Sequence, residues 1–379
     1  MNEASPHLLT EPNRGAREAG TSIFVSAQDG LRLHVREYGT RGAPGLAVVC
    51  LPGITRTVAD FAELAPALAA GPTRRRVIAI DSRGRGRSEY DSNPENYNFV
   101  VELGDIVSVL TALAIGPAVF LGSSRGGVLT MLLGAAHPTA IAGVVLHDVG
   151  PVVEPKGLAR IKSYLGKLPQ PRSFEDGADI LRRVMSTQFP NLTAEQWLAA
   201  ARRAWQMKDG ALVPTYDVRL ARTLASVDIE RPIPSLWNEY DTLAGVPMLV
   251  IRGGNSDILS AETVRRCGRG ASKWKSSRWP TRDTRRCSKA KACCAGSSAS
   301  SRTVKSRAAE RRQQRHCSER ARPLRVAPRP SNPGLRASWR LRGHTAAAGA
   351  SCLATTNEFG LPARLVIQST QETLGLQGG

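Results

Sequence analysis

The sequence predicts an α/β fold, and three observations carry that prediction. Short apolar runs without alternation recur along the first two-thirds of the chain, at 46–50, 77–80, 118–121, 144–146 and 248–251. Runs of this length suit strands buried on both faces of a parallel sheet. Stretches with helical apolar spacing lie between them, at 60–70, 97–114 and 127–137, which is the alternation an α/β domain requires. Finally, the run at 118–121 passes into the helix at 127–137 through Gly122-Ser123-Ser124-Arg125-Gly126, a turn of mostly small residues.

Residues 1–20 are polar and rich in Gly and Pro, with no apolar signal-peptide core, and are expected to be disordered. Ser22–Val25 and Leu31–Tyr38 alternate around Asp29-Gly30 and predict an antiparallel hairpin, with His34 on its surface. The longest apolar stretch, 106–121, is broken by Gly116-Pro117, so it reads as a helix end followed by a strand rather than a membrane span. His137, before Pro138, ends a helix. The first part of the core is thus placed at 21–150.

From 151 to about 240 the rhythm changes. Amphipathic helices are predicted at 158–165, 174–188 and 193–207, separated by Asp-Gly and Pro turns. This helical insertion between two sheet strands is either plain packing or a lid over a pocket. Trp197, Trp205, Met207, Trp237 and Tyr240 could line such a pocket or pack its core. The core then resumes at 241–263.

The 379-residue chain has a formal net charge of +20, which suggests a nucleic-acid or membrane-surface protein until the charge is located. Residues 264–379 hold 25 of the 52 Lys+Arg and 5 of the 32 Asp+Glu, leaving 27 of each sign in the rest. The excess belongs to the tail alone. Cysteine divides the same way: Cys50 stands by itself in an apolar strand, and the other six fall at 267 and beyond, in no zinc or disulfide spacing. A single early cysteine fits a reducing compartment. A soluble, cytoplasmic protein without cofactor or metal is expected.

The Gly122–Gly126 turn has the Gly-x-Ser-x-Gly spacing of a nucleophile elbow. Strand and helix approach so closely there that small residues must flank the serine, whose backbone is strained. The competing reading is a small-residue turn between packed elements. A second glycine-rich turn, Asp81-Ser82-Arg83-Gly84-Arg85-Gly86-Arg87-Ser88, lacks P-loop spacing and its Lys-Ser/Thr. Asp81 and Ser82 are expected to bond turn amides, with the arginines solvated or locally paired.

With these motifs in view, residues 22–263 resemble the α/β-hydrolase family. Leu51-Pro52-Gly53-Ile54 follows the third strand, where that family has its oxyanion loop. The Asp81–Ser88 turn follows the fourth, His147-Asp148-Val149-Gly150-Pro151 ends the sixth, and Gly253-Gly254-Asn255-Ser256-Asp257 ends the seventh. The resemblance implies an α/β-hydrolase core with a mostly parallel sheet and a helical cap. It implies Ser124 as nucleophile, the Ile54 and Arg125 backbone N–H groups as oxyanion hole, and Asp257 as the acid that orients a histidine. Asp257 could instead cap the helix at Ser260-Ala261-Glu262-Thr263. The implied activity is hydrolysis of a small ester, lactone or cleavable diketone through an acyl-enzyme. Ser124 argues against the dehalogenase and epoxide-hydrolase branches, which use Asp. A non-catalytic small-molecule binder and a nucleic-acid binder acting through the basic tail are the alternatives.

The family's base is a histidine after the eighth strand, usually in Gly-His. No histidine lies between His147 and His316 here, and 264–340 shows no pattern for the last strand and helix. His147, His316 and His344 are poor substitutes by position. A shifted reading frame accounts for the tail. Taking the last base of each codon with the first two of the next, Trp274-Lys275 must encode Glu, and Asp283-Thr284 can encode only His or Tyr. With ordinary codon choices, 271–291 becomes an alternating strand followed by Gly-His. If the tail is real as written, loss of the base would cost roughly a million-fold in turnover.

Overall fold

The computed structural model describes residues 20–225 and 227–268 and the backbone of 274–278. In chain order the first strands are β1 (Thr21–Ser26), β2 (Arg32–Tyr38), β3 (Val48–Leu51), β4 (Val77–Ile80), β5 (Ala118–Ser123) and β6 (Ile141–His147). Next come β7 (Trp205–Lys208) and β8 (Ala211–Pro214), a hairpin of their own, then β9 (Met248–Arg252) and β10 (Trp274–Arg278). The sheet order is β1-β2-β4-β3-β5-β6-β9-β10. β1–β2 and β2–β4 are antiparallel, and every later pair is parallel.

Continuous apolar runs work here because both faces are covered. Alternate residues divide between two cores. Val49, Leu51, Ile78, Ile80, Phe120, Leu146 and Val250 point to one; Val48, Cys50, Val77, Ala79, Leu121, Val145 and Ile251 point to the other. The first face receives α2 (Phe99–Ala112) through Ile106 and Val109, and α3 (Arg125–Ala136) through Leu129 and Leu133. The second receives α1 (Leu64–Ala70) through Leu64 and Leu68. Each such aliphatic side chain contributes about 1.5–3 kcal/mol when fully buried.

Between β6 and β9 the chain forms α4 (Pro155–Tyr164), α5 (Phe174–Met185), α6 (Ala194–Ala204), the β7–β8 hairpin, α7 (Arg222–Ala225) and α8 (Trp237–Asp241). Ser173 caps α5, and Thr193 with Gln196 forms a reciprocal capping box on α6. The helix expected to reach 207 stops at Ala204, and Trp205 is already extended. Asp209 and Gly210 both have positive φ, the requirement for a two-residue hairpin turn. Trp197 and Trp205 pack with Leu181, Ala201 and Leu212 in a core belonging to this segment, while Met207 is exposed. Tyr240 packs against the main core and donates its hydroxyl to the Cys267 carbonyl (3.2 Å). The Leu236 N–H donates to the Pro151 carbonyl (2.7 Å), so the excursion leaves and returns at one point.

Two expectations are corrected. Order does not end at 263, because α9 (Ala261–Cys267) follows β9 and buries Cys267. Nor is the region after 264 without a strand, since β10 pairs parallel to β9 in the register Trp274↔Met248 to Arg278↔Arg252. A parallel ladder uses backbone groups only, so β9 can recruit a neighbour with no apolar period. The remainder of the basic tail, with His316 and His344, and the segment 1–19 lie outside the described residues. Among the described residues no helix is long and apolar enough to cross a membrane, and no cluster of His, Cys, Asp and Glu is arranged to hold a metal ion.

Candidate active site

Ser124 sits between β5 and α3 with φ 49° and ψ −116°, a conformation non-glycine residues rarely adopt. The flanking glycines explain how the chain reaches it. A Cβ on Gly126 would run into the Leu51 carbonyl, one on Gly122 into the Gly126 backbone, and one on Gly127 into Val149. The Ser124 N–H donates to the His147 carbonyl (3.0 Å), tying the turn to the end of β6. Strain of this kind costs about 1–3 kcal/mol and persists only where the surroundings enforce it.

The loop after β3 packs on this turn: a Cβ built on Gly53 would lie 3.7 Å from Ser124 Cβ. Among the described residues, the N–H groups of Ile54 and Arg125 donate to no protein acceptor. Their side chains and carbonyls are held from behind. Arg85 Nε donates to the Ile54 carbonyl (2.6 Å) and Arg85 Nη1 to Glu102 Oε1 (3.1 Å). Arg125 donates to both oxygens of Glu102 at 3.0 Å and lies over the Phe99 ring. One buried carboxylate on α2 therefore links the two segments carrying the expected oxyanion donors. Burial alone would raise the Glu102 carboxyl, but Arg85 and Arg125 outweigh it and hold it below its ordinary value.

Of the arginines of the glycine-rich turn, Arg87 is exposed as expected, while Arg83 and Arg85 pair both nearby and with distant segments. Arg83 and Arg85 are buried rather than solvated. Arg83 takes Asp105 with two bonds (2.7 and 2.6 Å), Asp91 at 2.6 Å and Asp29 at 2.8 Å. Asp81 does accept turn amides, from Val58 (2.7 Å) and Arg87 (3.1 Å), and also meets His34 Nδ1 at 2.7 Å. His34 is consequently buried, not on a hairpin surface, because β2 lies between β1 and β4.

Asp257 is held by the inserted helices. Arg160 of α4 binds its carboxylate with two bonds of 2.7 Å, and Gln188 approaches at 3.5 Å. The Arg160 hydrogen bonds hold its carboxyl below the ordinary value, against burial. It is not a helix cap, because Ser260 fills that role for α9. Asp148, at the end of β6, also has positive φ (53°) and accepts from the Gly253 N–H (2.9 Å). The described histidines are engaged elsewhere: His34 with Asp81 and Ser22, and His147 Nδ1 with Ser123 Oγ (3.0 Å), while His137 ends α3. Burial pushes the His147 imidazole below its ordinary value, against the pull of Asp148.

Sequence reasoning found Ser124, Ile54 and Arg125, which the fold brings together. It missed Glu102 and Arg160, whose roles depend on contacts between distant segments. A cleft lined by Tyr90, Gln206, Val213 and Tyr216 lies beside the β7–β8 hairpin, and its lining contains neither Ser124 nor Asp257.

Comparison with known proteins adds an independent line. Residues 47–269 match the family described as alpha/beta hydrolase fold. A 3-hydroxybutyrate-oligomer hydrolase from Cupriavidus necator is 33% identical over 250 residues, covering 64% of this chain and 84% of the relative. A 2-(acetamidomethylene)succinate hydrolase from Mesorhizobium japonicum is 28% identical over 240 residues, covering 63% of this chain and 80% of the relative. The crystal structure of an alpha/beta hydrolase from Novosphingobium aromaticivorans superposes with a TM-score of 0.63 at 35% identity, covering 69% of this chain and 91% of that one.

Proposed function

The chain belongs to the α/β-hydrolase family, and from that membership we propose a serine hydrolase that acts through an acyl-enzyme on a small ester, lactone or related carbonyl substrate. The observation that carries this reading is Ser124, at positive φ, together with the Ile54 and Arg125 backbone N–H groups that have no acceptor among the described residues. In this reading Ser124 Oγ attacks the carbonyl carbon and passes its proton to a base. The Ile54 and Arg125 N–H groups hold the oxyanion; removing one such donor costs about 3 kcal/mol of transition-state stabilisation. The alcohol departs with a proton, and water then releases the acid and restores the serine. Asp257 orients the base, and the inserted helices serve as the lid. Both named relatives act on compounds whose names denote carboxylic acids, and we bring that feature to this chain's substrate.

The base is assigned to the histidine that the shifted frame supplies. Sequencing the gene across about codons 260–295 tests it: a shifted frame without Gly-His removes the base. A fluorophosphonate probe tests the nucleophile. The frame-corrected protein should be labelled at Ser124, and Ser124→Ala should abolish labelling. A second reading, a non-catalytic small-molecule binder, is favoured by the described histidines: His34 and His147 are hydrogen-bonded to other residues, and His137 stands exposed at the end of α3. Ligand binding without labelling of the frame-corrected chain would select it.

A further inference from the structure

Ser22 of β1, His34 of β2 and Asp81 after β4 are joined in series. His34 Nδ1 lies 2.7 Å from Asp81 Oδ2, and His34 Nε2 lies 3.0 Å from Ser22 Oγ. The register explains the meeting: His34 pairs with Phe24, and Ser22 stands two residues along β1 on the same face. Asp81 is 1% exposed and also accepts the N–H groups of Val58 (2.7 Å) and Arg87 (3.1 Å). Its oxygens act as acceptors throughout, so Nδ1 carries the hydrogen and Nε2 offers a lone pair. The His34 N–H donates to Ser88 Oγ (2.8 Å), which donates to the Asp81 carbonyl (2.6 Å) and fixes ring and carboxylate in place. Ser22 itself is exposed. Arg87, also exposed, donates from Nη1 to Ser22 Oγ (2.8 Å) with its guanidinium over the Phe24 ring. A serine whose hydrogen points at a histidine lone pair, with that ring oriented by a buried carboxylate, has the arrangement that makes a hydroxyl nucleophilic.

We propose that Ser22 is a second nucleophilic serine, which takes acyl groups from small activated esters independently of Ser124. Oγ attacks the ester carbonyl carbon as its proton passes to His34 Nε2. The oxyanion that forms lies beside the Arg87 guanidinium, whose charge is permanent. The carbon–oxygen bond to the leaving group then breaks, and the alcohol or phenol departs with the proton from Nε2, leaving acyl-Ser22. Asp81 stays bonded to Nδ1 throughout and balances the charge on the ring. One guanidinium stands in for two backbone N–H donors, so Ser22 reacts about 10²–10³-fold more slowly than a serine in a complete oxyanion hole. Its acylation therefore needs millimolar ester and long incubation, outside the brief, dilute fluorophosphonate exposure that reads Ser124. The site uses no residue beyond Ser88, so it is complete whichever frame the tail is read in.

The test is incubation of the full chain with p-nitrophenyl acetate, followed by tryptic digestion and fragment mass spectrometry. Peptide 18–32 carries both Ser22 and Ser26, and Ser26 is exposed on the same strand, which makes it an internal reference. Ser22 should be acetylated about a hundredfold or more faster than Ser26, the ordinary gain from a positioned base. Arg87→Gln should slow Ser22 about tenfold or more, the loss of one charge-assisted contact. His34→Gln should bring Ser22 down to the rate of Ser26. Equal acetylation of the two serines in the wild type overturns the proposal, whether or not the His34 variant folds. Undiminished Ser22 acetylation in a folded His34→Gln does the same. Ser124→Ala separates this site from the other. Acetyl-Ser22 should form in that variant too; its absence there would mean that the acetyl group reaches Ser22 by way of Ser124, which also overturns the proposal.

Discussion

His147 illustrates what a single buried group does to stability. Its imidazole is held below its ordinary value by burial, so the folded chain resists the proton that the unfolded chain accepts. At pH above about 6.5 neither state is protonated and there is no effect. As pH falls below that, the unfolded state binds more protons and stability drops, by up to about 1.4 kcal/mol per pH unit. Urea unfolding at pH 7.5 and 5.5 should show this loss, and His147→Asn should flatten it. An unchanged slope in the variant would assign the acid sensitivity to other groups. At this scale Ser124 was legible because its neighbours are forced by sterics: each glycine of the turn meets backbone or packed side chain. His34, Arg83 and Arg85 were not. Polar residues next to a turn are normally solvated, and only the partners Asp81, Asp105 and Glu102, from other strands and helices, make their burial tolerable.

Helices and strands were legible where their signals are local. The caps at Ser173 and Thr193 set the starts of α5 and α6 within a residue of expectation. The β7–β8 hairpin was missed because a helical apolar period runs through Trp205 into Met207, although Asp209-Gly210 carries the turn signal. β10 was missed because pairing along an existing edge leaves no trace in side-chain pattern. The element of most consequence is α2, whose Glu102 holds both Arg85 and Arg125. Removing that carboxylate strands two buried cations. Glu102→Ala should cost about 3–5 kcal/mol in denaturant unfolding. Glu102→Gln, which keeps an acceptor oxygen, should cost less. A near-neutral Glu102→Ala would mean that water already replaces the carboxylate.

For the whole molecule, the fold was readable because a parallel sheet covered on both faces imposes an apolar composition on its inner strands β3, β4, β5, β6 and β9. The boundaries of the insertion were not, since they are set by one long-range contact. The Leu236 N–H meets the Pro151 carbonyl at 2.7 Å. Everything from 152 to 235 is therefore a loop whose closure is already made, and the entropy of closing a loop grows only slowly with its length. The segment is in this sense an interchangeable part. Replacing 152–235 with a short Gly-Ser linker should leave a body that still melts cooperatively by circular dichroism. It should be less stable, because the Gly86 N–H and the Gly84 carbonyl lose the backbone bonds to Thr215 and Asp217 that now dock the insertion on the Arg83–Arg87 turn. A body that no longer melts cooperatively would mean the insertion is a structural wall. A cooperative one would mean that other insertions could be spliced across the same hydrogen bond to give the same serine a different pocket.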